Sequence, residues 1–158
     1  MAAHDHPVCI ILTRQDLQGY EKSDANWKNT VKSGAYIAKD CEGAPAVTVL
    51  ASGSEVSMAI AASKMVPAKK IRVISVIDLK LFTNLSSADR EKLTGKGVRI
   101  VTAEAGIGTE WRQFTSDAHD VFCIDSFGES GPAEKVAEHL GFRDYRHSPP
   151  LYEGTGHK

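Results

Sequence analysis

Arg14 is the residue best placed for chemistry in this sequence. It closes an apolar, β-branched run, Pro7 to Thr13, that reads as a buried strand. A guanidinium held at the end of such a strand grips an anion through two parallel hydrogen bonds. A solvated or ion-paired arginine is the competing reading, and position alone favours it. Three carboxylates, Asp78, Glu104 and Asp125, fall at the C-terminal ends of three predicted strands. Ligands gather at that edge of an open α/β sheet, and three carboxylates there suit Mg²⁺ or acid–base work. Acids at that edge also cap loops and the positive ends of helices. With no histidine or lysine partnered to them in sequence, capping is the better account.

The remaining motifs are weaker. Ala105-Gly106-Ile107-Gly108-Thr109 joins a strand to a helix, where amides can cradle a phosphate. The dinucleotide fingerprint asks for a third glycine where Trp111 stands, so a tight turn under a closely packed Trp111 helix fits better. Ser52-Gly53-Ser54-Glu55 lies at another strand-to-helix turn but lacks the G-x-S-x-G of a nucleophile elbow. Ser52 three residues before Glu55 has the spacing of a capping box. His4, His6 and Cys9 are zinc-ligand types, yet a structural zinc site needs four ligands.

These residues are spaced by a regular alternation of elements. The stretch from Gln15 to Ser33 is polar and aperiodic, and reads as a connector with little core of its own. Ala35 to Ala38 is a short strand, expected at an edge. Strands follow at Ala46–Ala51, Arg72–Ile77, Val98–Ala103 and Val121–Asp125. Between them, Val56, Ala59, Ile60 and Ser63 keep the period of a helix with one apolar face, ended by Pro67. Ser86–Leu93 and Thr109–Ala118 also read as helices, and Pro132 opens a last one whose apolar face is Ala133, Val136, Ala137 and Leu140. The strands are nearly continuous apolar runs, as strands buried on both faces are. The expected fold is therefore α/β: a mainly parallel open sheet of about five strands with helices on both faces.

Composition narrows the function classes. The chain has 158 residues, 42% hydrophobic and 25% charged, with a formal net charge of −1. That is one domain's worth of core and no general attraction to nucleic acid or an anionic membrane. No apolar stretch approaches the roughly 20 residues of a membrane span, and Met1 to Pro7 has no apolar signal core. Cys9, Cys41 and Cys123 are widely separated and odd in number, which predicts a reducing compartment rather than a disulfide framework. Cys9 and Cys123 lie in apolar runs and are expected in the core.

Four motifs in order give a family resemblance from Pro7 to Phe142. Leu12-Thr13-Arg14-Gln15 resembles L-S-R-Q at the end of the transketolase pyrimidine-binding domain. Ala51-Ser52-Gly53-Ser54-Glu55-Val56 resembles that family's A-T-G-S-E-V, and Glu104-Ala105-Gly106 with Trp111 its E-A-G…W. Phe127-Gly128-Glu129-Ser130, Pro132-Ala133 and Gly141-Phe142 are similar to F-G-E-S-A-P-A…G-F, with Gly131 where the family often has Ala. The resemblance implies a domain division. Residues 1–15 would be the terminal strand of a preceding pyrimidine-binding domain, 16–34 a connector, 35–142 the transketolase C-terminal domain and 143–158 a surface tail.

The resemblance also implies a homodimeric, cytosolic enzyme dependent on thiamine diphosphate and a divalent cation, Mg²⁺ or Ca²⁺. Such an enzyme moves a two-carbon ketol unit from a ketose phosphate to an aldose phosphate, as in the pentose phosphate pathway. In such enzymes the arginine matching Arg14 contacts the substrate phosphate. The family's G-D-G diphosphate motif with paired Asn does not occur in this sequence, nor does any segment supply the cofactor-activating glutamate or the active-site histidines. The expected role is therefore structural, inactive alone and partnered with catalytic domains, with no cofactor, metal or catalytic residue of its own. Two alternatives stand beside it. One is a free-standing regulatory or small-ligand-binding module using the C-terminal sheet edge. The other is the same domain of a related enzyme such as dihydroxyacetone synthase or deoxyxylulose-phosphate synthase; L-T-R-Q and F-G-E-S favour transketolase.

Overall fold

The apolar runs of the sequence become the sheet. In the computed structural model, which describes residues 7–13, 16–17 and 19–142, β1 (Ala35–Lys39), β2 (Val47–Ala51), β3 (Ile71–Val76), β4 (Arg99–Glu104) and β5 (Val121–Cys123) line up in the order β1-β3-β2-β4-β5. Strands β3, β2, β4 and β5 are parallel neighbours, and β1 lies antiparallel on the β3 edge. All of β2 is buried, as a central strand covered on both faces must be. The helices are α1 (Trp27–Thr30), α2 (Glu55–Met65), α3 (Leu79–Thr83), α4 (Ser87–Thr94) and α5 (Ala133–His139). This is the mainly parallel α/β sheet the alternation predicts.

Each face carries its own core. On one, Val56, Ala59 and Ile60 of α2 join Val47, Val49, Val73 and Val101 of the strands. On the other, Leu50, Ile74 and Val76 join Phe82 of α3, Leu93 of α4 and Trp111. Helix α4 starts one residue later than expected, because Ser86 is its N-cap and the Ser86 hydroxyl accepts the Asp89 amide at 3.1 Å.

Several segments depart from the sequence reading. Pro7 to Thr13 forms no strand, and Ile10, Ile11, Leu12 and Cys9 are exposed. The five strands of this sheet do not include the Pro7–Thr13 run, so Cys9 is exposed rather than a core residue; Cys123 is half-buried. The connector is better anchored than its polarity suggests. Tyr20, Trp27 and Val31 pack against the α2-side core, and the Tyr20 and Tyr36 hydroxyls are 2.7 Å apart. Lys22 places its ammonium 4.7 Å from the Trp27 ring centroid and 5.3 Å from that of Tyr20, within cation–π range.

Residues 109–118 form no α-helix. Three-residue 3₁₀ turns at Gly108–Glu110, Arg112–Phe114 and Ala118–Asp120 replace it. Local polar side chains interrupt the helix: the Thr115 hydroxyl donates to the Arg112 carbonyl at 3.3 Å, and Asp117 accepts the His119 amide at 2.9 Å. The surface tail assigned to 143–158 lies outside the described residues.

Candidate functional site

The C-terminal sheet edge is the natural place for a site in this topology. From β2 the chain runs to β3 on one side and then to β4 on the other, so a crevice is expected outside the ends of β2 and β4. The pairing of Ala51 with Ala103 sets the next residues, Ser52 and Glu104, side by side. The Ser52 hydroxyl donates to Glu104 Oε2 at 2.6 Å, and the Gly106 amide donates to Glu104 Oε1 at 2.9 Å. Both oxygens of Glu104 are thus used in holding two turns together.

Ser52 is therefore not the helix cap that its spacing suggests. The N-cap of α2 is Ser54, which makes no side-chain cap bond; Ser52 contributes only its carbonyl, which accepts the Glu55 amide at 3.1 Å. The hydroxyl is engaged 52 residues away instead. Glu55 completes the junction, accepting the Ser54 hydroxyl at 2.8 Å. Burial raises the Glu55 pKa; the Ser54 hydrogen bond opposes the rise and the nearby Glu104 charge adds to it. A carboxyl with a raised folded-state pKa favours folding when protonated, so its contribution falls as pH rises through that value.

The other two acids do not join Glu104. Asp78 caps α3, accepting the Leu81 amide at 2.9 Å, and its strand is separated from β4 by β2. Asp125 pairs with the Arg112 guanidinium at 2.9 Å on the surface. Among the described residues no three His, Cys, Asp or Glu side chains form a group that would hold a metal ion. Arg14, His4 and His6 lie outside the described residues.

The glycine turn after β4 is also consumed by packing. The Gly106 carbonyl accepts the Ile124 amide at 3.2 Å, and Gly108 is buried against β5. A Cβ at position 108 would sit 2.5 Å from Cys123 Sγ and 2.7 Å from Val121 Cγ1. Gly108→Ala is accordingly expected to lower stability by about 1–3 kcal/mol through overpacking. Urea unfolding checks this, and an unchanged midpoint would show that the turn has room to retreat. The same close approach seats Trp111, which is 4% exposed, edge-on to Phe114.

Residues 34–143 match the model of the transketolase-like TK C-terminal domain. The chain belongs to the transketolase family. It is 39% identical over 137 residues to a transketolase of Treponema pallidum, covering 86% of this chain and 20% of that protein. It is 36% identical over 141 residues to transketolase 1 of Escherichia coli, covering 87% and 21%. The solved transketolase of Campylobacter jejuni superposes with a TM-score of 0.63 at 31% identity, over 80% of this chain and 18% of that one. The chain spans about one fifth of the length of these curated relatives. Within the transketolase C-terminal domain, the motifs Ala51–Val56 and Glu104–Gly106 meet at the Ser52–Glu104–Gly106 junction. Their residue types are those of two turns tied across neighbouring strands.

Proposed function

We propose that this chain serves as the C-terminal part of an enzyme that transfers a two-carbon ketol unit between sugar phosphates, and that its own work there is structural. The observation that carries the reading is the state of the C-terminal sheet edge in a domain of this family. Its carboxylates are spent on a cap, a surface ion pair and a turn junction. These residues do not fit thiamine diphosphate and its divalent cation, since no described cluster offers a metal its ligands. In this reading the cofactor, the cation and the reacting sugars belong to preceding domains in a homodimeric, cytoplasmic enzyme.

On the same reading, residues 1–15 complete the sheet of the preceding domain, and Arg14 at the end of that strand holds the substrate phosphate. The exposed apolar side chains of Ile10, Ile11 and Leu12 support this, because an isolated chain gains nothing by presenting them to water. Ketol transfer by the 158-residue chain alone tests the proposal. With xylulose 5-phosphate and ribose 5-phosphate, a pure sample is expected to match buffer; turnover that persists after removal of host enzyme contradicts it.

A further inference from the structure

The edge of the sheet opposite the Ser52–Glu104 junction carries a different chemistry. There a cleft of about 430 Å³ opens between the end of β1 with its following loop, the C-terminal end of α2 and the loop into β3. Lys39, Lys64, Lys69 and Lys70 line it, with Glu42 the one carboxylate among the described lining residues, in a chain whose net charge is −1. We propose that this cleft is an anion site for a small ligand carrying a diphosphate or similar polyanionic group.

Three observations carry the inference. First, the lysines arrive from three separate elements, so their convergence is tertiary rather than a run of solvated charges along one helix. Lys39 ends β1, Lys64 stands in the last turn of α2, and Lys69 and Lys70 precede β3. Second, the frame is fixed by backbone bonds. The Lys69 amide donates to the Val66 carbonyl at 2.8 Å, and the Lys70 carbonyl accepts the Ala46 amide at 2.8 Å. Third, among the described residues carboxylates do not neutralise three of the four lysines, and the Lys39 ammonium donates only to the Ile71 carbonyl, at 3.5 Å. No carboxylate among the described residues forms an ion pair with Lys39, Lys64 or Lys70. The C-terminal end of α2 offers at most about half a negative charge, which one lysine satisfies. Pro67 and Ala68 add an apolar wall, and the volume lies within the usual range of small-molecule sites, about 300–1,000 Å³. Clustered ammonium groups on flexible stems suit phosphate oxygens, which accept from them as compact point charges.

The test is a calorimetric titration of the 158-residue chain with inorganic pyrophosphate at low ionic strength, with inorganic phosphate as the comparison. Saturable pyrophosphate binding with a Kd on the order of 0.1–1 mM is expected, tighter than for phosphate and weakened by added salt. Lys64→Glu with Lys70→Glu should weaken it about tenfold or more, and both side chains are exposed enough to change without disturbing the core. The milder pair Lys64→Gln and Lys70→Gln, expected to lose affinity by a smaller factor, guards against misfolding of the reversed one. Lys80→Glu, on α3 near the opposite sheet edge, should leave affinity unchanged. Absence of saturation overturns the proposal. So does equal affinity in the Lys64 and Lys70 variants, or an equal loss in the Lys80 variant, which would reduce the effect to net charge.

Discussion

Phe82→Ala is expected to destabilise the isolated chain by about 3–5 kcal/mol, the usual cost of removing a buried phenyl ring. Phe82 has no exposed surface and belongs to the core on the α3 and α4 face of the sheet. Its ring centroid lies 5.2 Å from that of Phe114, so the change removes an aromatic pair as well as buried area. Helix α3 has five residues and little propensity of its own to stay formed, so Phe82 is what docks it. A melting temperature lower by roughly 6–20 °C is the expected readout for a domain of this size. Leu81→Ala on the same short helix is the control. Leu81 is 49% exposed, and its loss should stay under about 1 kcal/mol. Similar losses for the two variants would show that α3 is not seated as described.

Arg14→Ala, made in a full-length enzyme containing this chain, is expected to lower kcat/KM for phosphorylated substrates by about ten- to a hundredfold. The proposed contact is a charge-assisted hydrogen bond to the substrate phosphate, worth roughly 1.5–3 kcal/mol. The phosphate does not react, and the prediction takes the case in which its contact is equally strong in ground and transition states. The loss should then fall on KM with kcat nearly unchanged. An unphosphorylated donor such as hydroxypyruvate supplies the internal control, since it presents no phosphate. Equal losses on both donors would mean that Arg14 acts through folding or the general field, and its proposed role would be withdrawn.

The sheet and its main helices were legible because burial on both faces leaves continuous apolar runs. Val47–Ala51, Ile71–Val76 and Arg99–Glu104 each lie within a residue of the predicted strands. What escaped depended on contacts that local composition does not display. Pro7 to Thr13 has strand composition, yet the chain places it in no strand, and composition says nothing of which sheet it joins. Short α3 was hidden because its five residues cannot display a helical period; its visible signal was Asp78 three residues before Leu81, an N-cap spacing. The stretch after Gly108 misled in the opposite sense. Trp111 and Phe114 keep helical spacing, but Thr115 and Asp117 draw the backbone into short turns.

The candidate site divides in the same way. That acids would stand at the C-terminal sheet edge was readable from strand ends, as was the capping role of Asp78. The Ser52–Glu104 bond was not, because it needs the register of β2 against β4. With that register known, two motifs that look like independent turns become one junction. The connector's aromatic packing was equally hidden: Tyr20, Trp27 and Tyr36 show no common period, and only the fold of the connector back onto β1 brings them to Lys22.

The central claim is that this chain holds the C-terminal domain of a transketolase and not a cofactor site. Titration of the 158-residue chain with thiamine diphosphate in the presence of Mg²⁺, followed by calorimetry, tests it most directly. The account predicts no saturable thiamine-specific heat; any weak response should be reproduced by inorganic pyrophosphate and weakened to the same degree by Lys64→Glu with Lys70→Glu. A thiamine diphosphate dissociation constant in the micromolar range, unmatched by pyrophosphate, would contradict it.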